Sequence, residues 1–234
     1  MLSRRVEPEL LDQLPASDHD AQRSRADLRR LHRFMGTLAI GSSALDRATA
    51  GVDPRSLLEL GAGDGSLMLR LARKRAKRWP DVKVTLLDRV DIVPPATLEA
   101  IRAIGWKPTV VTADVFDFLA IHDESRWNVI WANLLLHHFE RDELAGLLAD
   151  IAQRTSVFVC CEPRRALLPL LSSHLVALTG AGRVTRHDAL ASVRAGFRAR
   201  ELSRLWPNRK DWLLHEYPAG FFSHCFMAIR KRRG

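Results

Sequence analysis

The chain is 234 residues long, 47% hydrophobic, with a formal net charge of +9 at neutral pH. That length suits one α/β domain with a sizeable core and a small annex, and no apolar run reaches the ~18 residues of a membrane span. Met1-Leu2-Ser3-Arg4-Arg5 leads into no apolar stretch, so a cytoplasmic protein without a secretion signal is expected.

The charge invites a nucleic-acid reading. However, Arg73, Lys74, Arg75, Lys77 and Arg78 crowd the end of an expected helix, where cations complement the helix dipole. Arg230-Lys231-Arg232-Arg233 is a terminal tail, and aromatic residues are not interleaved with the basic runs as single-strand surfaces favour. The pattern argues against a nucleic-acid partner. Cys160 and Cys161 are adjacent inside an apolar, strand-like run. Neighbouring strand residues point to opposite faces, so reduced thiols are expected and not a bridge between them. No metal-ligand spacing is present, and no metal is expected.

Residues Met1 to about Asp18 are polar and proline-punctuated and are expected to be loosely ordered. From Asp20 to Ala50, Leu28, Leu31, Met35 and Leu38 fall at helical spacing, with Gly36 and Gly41 expected to break the pattern into short helices. Residues 1–50 thus form a helical annex, able to lie over a site as a lid. Its Arg29, Arg30, His32 and Arg33 read as a solvated face before a substrate clamp. Residues 51–234 form the main domain.

That domain begins with a buried parallel strand at Ser56-Leu57-Leu58-Glu59-Leu60, followed at once by Gly61, Gly63 and Gly65. A strand, a glycine turn and a helix N-terminus make a nucleotide site at the carboxyl edge of a Rossmann-like sheet. The third glycine comes one residue too early for the dinucleotide fingerprint G-x-G-x-x-G. Glu59, moreover, would repel a pyrophosphate but suit a cationic ligand.

A helix is expected from about Gly65 to Arg78, then a strand Val82 to Asp88 ending in an acid. Asp88 stands at the ~20-residue interval where a carboxylate accepts from ribose hydroxyls. A helix over Pro95 to Ile104 and a strand over Lys107 to Val111 come next, and Asp114 and Val115 open a short helix. The strand Trp127 to Ala132 ends at Asn133 and runs into Leu134-Leu135-Leu136-His137-His138-Phe139. Leu144, Leu147, Leu148 and Ile151 stripe a helix over Asp142 to Arg154. A fifth strand, Ser156 to Cys161, precedes Glu162-Pro163. Helices are then expected over Arg165 to Leu178 and from Thr185 to about Arg194, and Trp212 to Tyr217 with Phe222 to Arg230 form a terminal hairpin.

The run E-L-G-A-G-D-G resembles motif I of class I S-adenosylmethionine-dependent methyltransferases, whose pattern is E/D-x-G-x-G-x-G. L-H-H-F is similar to a segment of many small-molecule members, and the likeness spans about residues 51 to 230. It implies an α/β sheet of seven strands, one antiparallel, with helices on both faces. It also implies S-adenosyl-L-methionine as cofactor, held by Glu59, Gly61, Ala62, Gly63, Gly65, Asp88, Arg89, Asp114, Val115, Asn133 and Leu134. Asp114 would meet the adenine amine, although capping the next helix competes for it.

Methyl transfer from a sulfonium needs alignment and no covalent residue. A hydroxyl acceptor gains from a general base, and His137 and His138 are the candidates for base or positioning roles. Glu162, His187 and Asp188 are weaker ones, with Asp188 read as a helix-capping carboxylate. Asn- or Asp-Pro-Pro-Tyr and Pro-Cys, the marks of nucleobase methylation, are absent. The resemblance points to O- or C-methylation of a phenolic, polyketide or quinone-like metabolite. RNA- or protein-directed methylation and non-catalytic cofactor binding are the alternatives. Phe197, Trp206 and Phe221 suit an apolar acceptor pocket or the core.

Overall fold

The computed structural model describes residues 3–50, 52–122, 126–167, 169 and 180–231. Strands β1 (Ser56–Leu60), β2 (Lys83–Asp88), β3 (Lys107–Thr112), β4 (Trp127–Asn133), β5 (Thr155–Pro163), β6 (Trp212–Ala219) and β7 (Ser223–Arg230) form one sheet, ordered β3-β2-β1-β4-β5-β7-β6. β1 to β5 pair in parallel, whereas β7 slots antiparallel between β5 and β6. This is the expected seven-stranded sheet with one antiparallel strand.

The central parallel strands β1, β4 and β5 are buried on both faces, which explains their apolar runs, while the edge strand β3 is half-exposed. Leu58 and Leu60 of β1 and Ile130 and Ala132 of β4 join one core layer; Leu57, Val129 and Trp131 join the other. The first layer is completed by α6 (Val115–Ile121) and α7 (Arg141–Arg154), the second by α3 (Thr37–Ala48), α4 (Ser66–Arg75) and α5 (Pro95–Ala103). Leu60 lies level with Leu87 on one side and Ala132 on the other, and Asn133 lies level with Cys161. The carboxyl ends of β1, β2, β4 and β5 therefore share one edge. Cys160, Cys161 and Cys225 are free and buried.

Three expectations need correction. The segment before Asp18 is not loose: it carries α1 (Leu10–Gln13) and is pinned to the domain. The Arg4 guanidinium donates to the carbonyls of Ala195 (2.8 Å), His137 (3.2 Å) and Phe139 (2.8 Å), and the Arg5 N–H to the Arg194 carbonyl. Gly36, at φ 67°, does separate α2 (His19–Phe34) from α3, but Gly41 breaks nothing. It lies inside α3, where an added Cβ would sit 2.8 Å from the Trp131 ring. Thr185, expected to open a helix, lies within α8 (Arg183–Ala195) and donates its hydroxyl hydrogen to Ser24 or Asp27 of α2.

The face of α2 that is buried carries Ala21, Ser24 and Asp27, a small and polar row, while the Leu28 and Leu31 stripe is only half covered. Of the helix expected over Arg165 to Leu178, residues 168 and 170–178 lie outside the described residues. The short helix α9 (Glu201–Leu205) leads to β6.

Candidate active site

The glycine turn has the conformation its sequence demands. Gly61, Gly63 and Gly65 take φ values of 70°, 56° and 68°, a left-handed region closed to most side chains. The Gly61 and Ala62 N–H groups donate to the Leu87 carbonyl at 2.9 and 3.0 Å, which ties the turn to the end of β2. A Cβ on Gly61 would crowd Leu135, and one on Gly65 would crowd Thr97 and Val93. At Gly63 it would meet nothing within 4 Å, so this glycine faces open space.

Asp88, expected to accept from a ligand, also holds the turn. One oxygen accepts from the Gly63 N–H at 2.8 Å and the other from the Val90 N–H at 3.0 Å. Each carboxylate oxygen can accept a second bond, so both retain capacity for hydroxyls. Behind the turn Glu59 is 2% exposed, and its Oε2 has no hydrogen-bond partner. Burial, with the Asp88 and Asp64 charges beside it, pushes the Glu59 carboxyl well above the ordinary range. A buried acid lacking a partner fits a cationic ligand arriving over the turn.

Asp114 caps α6, accepting from the Phe116 N–H at 2.8 Å, so the capping role is real. The Ala113 N–H donates to the Asp88 carbonyl, which sets Asp114 close to the end of β2, with Val115 buried behind it. Arg89 reaches away from the turn to Asp12 at 3.4 Å. Asn133 is buried with its Oδ1 unpartnered, and Leu134 adopts φ 55°, a strained backbone at the sheet edge.

The loop after β4 is organised by Glu162, which the sequence placed among the weaker candidates. Fully buried at the end of β5, it accepts from the N–H groups of Leu135 (3.1 Å), Leu136 (3.0 Å) and His137 (3.4 Å). His137 Nδ1 lies 2.8 Å from its Oε2. With Nδ1–H donated to Glu162, His137 Nε2 is left facing Glu9 Oε1 at 3.3 Å. His138 Nδ1 pairs with Asp12 at 3.2 Å, and the two imidazole rings lie 4.3 Å apart.

Burial alone would lower the His137 pKa, but Glu162 and Glu9 outweigh it and raise it to about 9. Burial would raise Glu9, yet the hydrogen bond and charge of His137 hold its carboxyl below the ordinary value. Glu9, His137 and His138 each bring one metal-capable atom within 4.8 Å of the others, an assembly no sequence spacing foretold. Here each imidazole already has a carboxylate within hydrogen-bond or ion-pair reach, His137 at Glu162 and Glu9 and His138 at Asp12.

Glu9 and Asp12 were missed because nothing local says where an N-terminal segment docks, and Ser192 of α8, whose hydroxyl donates to Glu9, was missed with them. Asp188 was read as a capping carboxylate and is one, but for another helix: it accepts from the Leu10 and Leu11 N–H groups at the start of α1. Arg29 is exposed, as read, and also pairs with Asp64 of the glycine turn at 3.1 Å. Phe197 and Trp206 are core residues, 1% and 2% exposed, and Phe221 is exposed. Phe139 of L-H-H-F instead meets Phe116 edge-on at 5.3 Å.

No protein-family model matches the chain, and no curated protein matches it in sequence. Solved structures do match. The plantazolicin methyltransferase BpumL in complex with SAH superposes with a TM-score of 0.70 at 15% identity, covering 94% of each chain. The chain has the class I methyltransferase fold. Magnesium protoporphyrin IX methyltransferase (ChlM) from Synechocystis PCC 6803, with bound SAM, shares this fold with a TM-score of 0.54 at 11% identity, over 95% of this chain and 88% of its own. An O-methyltransferase family protein from Burkholderia thailandensis gives 0.56 at 15% identity, over 92% of this chain and 64% of its own. In this methyltransferase fold the shared edge of β1, β2 and β4 carries Glu59, the three glycines, Asp88 and Asn133. Among the described residues no helix is long and apolar enough to cross a membrane.

Proposed function

We propose that the protein transfers a methyl group from S-adenosyl-L-methionine to the oxygen or carbon of a small phenolic, polyketide-like or quinone-like acceptor. The observation that carries the reading is Glu59, buried and partnerless behind three left-handed glycines. Nicotinamide dinucleotides bring a pyrophosphate, which Asp64 and Asp88 would repel and beside which Glu59 could not ionise. S-Adenosylmethionine brings an ammonium and a sulfonium, which this acidic edge suits. Solved relatives of the fold hold SAH or SAM, which supports the same cofactor here.

In this reading Glu59 and the turn from Gly61 to Gly65, with Ala62, receive the amino-acid end, Asp88 the ribose hydroxyls, and Asp114 and Val115 the adenine. Asn133 and Leu134 wall the space beside them. Arg89, following Asp88 and paired with Asp12, belongs to the same cofactor edge. When bound, the cofactor supplies an electrophilic methyl group. The chain supplies alignment, which can lower the barrier by up to ~7–11 kcal/mol in well-oriented systems. Glu162 fixes the tautomer and direction of His137, leaving Nε2 as the proton acceptor for a hydroxyl.

Calorimetry tests the reading. S-Adenosylmethionine and its demethylated product should bind, and NAD should not. Tight NAD binding with no response to the methyl donor would overturn it. Turnover is then sought over a panel of phenols, polyketide-like acceptors and RNA, where labelled methyl confined to RNA would move the acceptor class.

A further inference from the structure

The first residues of the chain lie across the proposed acceptor site and bind it by few, separable contacts. Arg4 and the Arg5 backbone fasten one end to α8 and the loop after β4, Asp188 holds the start of α1, and Asp12 ties the other end to His138 and Arg89. Between these anchors Glu9 faces His137 Nε2, and the Ser192 hydroxyl donates to the same carboxylate. His137 is only 3% exposed. Its Nδ1 is committed to Glu162, so an acceptor hydroxyl can reach the ring only at the position Glu9 fills.

We propose that residues 4–12 act as a strap in which Glu9 occupies His137 Nε2 and is displaced by the acceptor's hydroxyl, so that the strap sets when His137 can take a proton. This rests on the methyl-transfer reading and names how that site admits its substrate. The acceptor oxygen gains the methyl carbon as the sulfonium–methyl bond breaks, with the bonding pair left on sulfur. As Glu9 leaves, Nε2 gives up its proton to solvent; the hydroxyl proton then passes to the freed Nε2 lone pair, while Nδ1–H stays with Glu162.

Electrostatics follow the geometry. Between Glu162 and Glu9 the imidazole is held protonated up to about pH 9, without a free lone pair. Lifting Glu9 removes one of two facing carboxylates, and the ring returns toward its ordinary range and becomes a base. The groups facing it are Glu162 from β5, Glu9 and, farther off, Asp12 from the strap, and His138 beside it on the same loop. Arg4 touches only the His137 carbonyl, and α8 contributes Ser192 through Glu9.

The test follows His137 by nitrogen NMR in the full-length protein saturated with S-adenosylhomocysteine. The wild-type ring should stay protonated to about pH 9. In Glu9→Gln its midpoint should fall by at least about one pH unit, and in Ser192→Ala, which only loosens Glu9, by less. Carbethoxylation of His137 by diethyl pyrocarbonate, read by mass spectrometry at pH 7, should speed up on the order of tenfold in Glu9→Gln, since one pH unit is tenfold in neutral ring. With any acceptor found in the panel, the acid limb of kcat/KM should move to lower pH in the same variant. An unchanged midpoint or an unmoved limb in folded Glu9→Gln overturns the strap; should that variant not fold, Ser192→Ala decides by the same midpoint. Failure of methyl transfer with the midpoint shifted would instead sink the functional reading and leave Glu9's hold on His137 standing.

Discussion

At the scale of single residues, one carboxylate can serve the fold and a ligand together. Asp88 holds the Gly63 and Val90 N–H groups and still has lone pairs to offer. Asp88→Ala should therefore weaken S-adenosylhomocysteine binding by on the order of 1.5–3 kcal/mol, the range for hydrogen bonds to a charged group. It should also cost the fold about 1–2 kcal/mol, because two backbone donors lose their acceptor. Asp88→Asn, which keeps an acceptor oxygen, should recover part of both. Calorimetry and urea melts measure the two effects separately. Full cofactor affinity in a folded Asp88→Ala protein would remove the residue from the site.

At the scale of elements, the annex is joined to the sheet by close approach as much as by apolar area. Gly41 brings α3 against Trp131, with no room for a methyl group. Arg75 of α4 binds Asp46 and Ser42 of α3, so part of the basic cluster read as a helix-end feature fastens the annex. Gly41→Ala should destabilise by roughly 1–3 kcal/mol, the cost of overpacking, despite the better helix propensity of alanine. A thermal midpoint unchanged or raised in Gly41→Ala would show that α3 sits farther from the sheet. Asp188 makes the same point for α8: its carboxylate receives the start of α1 from across the site.

For the whole molecule, buried His137 and half-buried His32 give stability opposite slopes with pH. His32, its Nε2 buried without a partner, is lowered by burial and Arg70 to about 4. The unfolded chain then binds the extra proton between about pH 6.5 and 4, and stability falls as pH drops through that window. His137 is raised to about 9, so its contribution is complete below about pH 6.5 and is lost as pH climbs toward 9. Unfolding free energy should peak near pH 6.5 and decline by on the order of 2 kcal/mol on each side. His32→Gln should flatten the acid flank, and His137→Gln the alkaline one. Urea titrations from pH 4 to 9 measure this, and flanks that survive both substitutions would assign the slopes to other groups.

The five parallel strands, the glycine turn and the polar residue at or just past each strand end were legible from residues 56 to 162, because their signals are local. A buried parallel strand is a short apolar run, a left-handed turn asks for glycine, and a strand end is where polarity returns. The sheet edge of Glu59, Asp88 and Asn133 was therefore determined by sequence alone. Tertiary structure alone decided that Glu162 is the hub of the histidine loop, that Gly41 is a contact and not a break, and that Glu9 and Asp12 sit on His137 and His138. The physical reason is separation along the chain. Glu9 is 128 residues from His137, and neither hydrophobic period nor turn chemistry carries information over that distance. Only the packing of α8 beside the loop brings a polar N-terminal segment, with no apolar pattern of its own, onto the site.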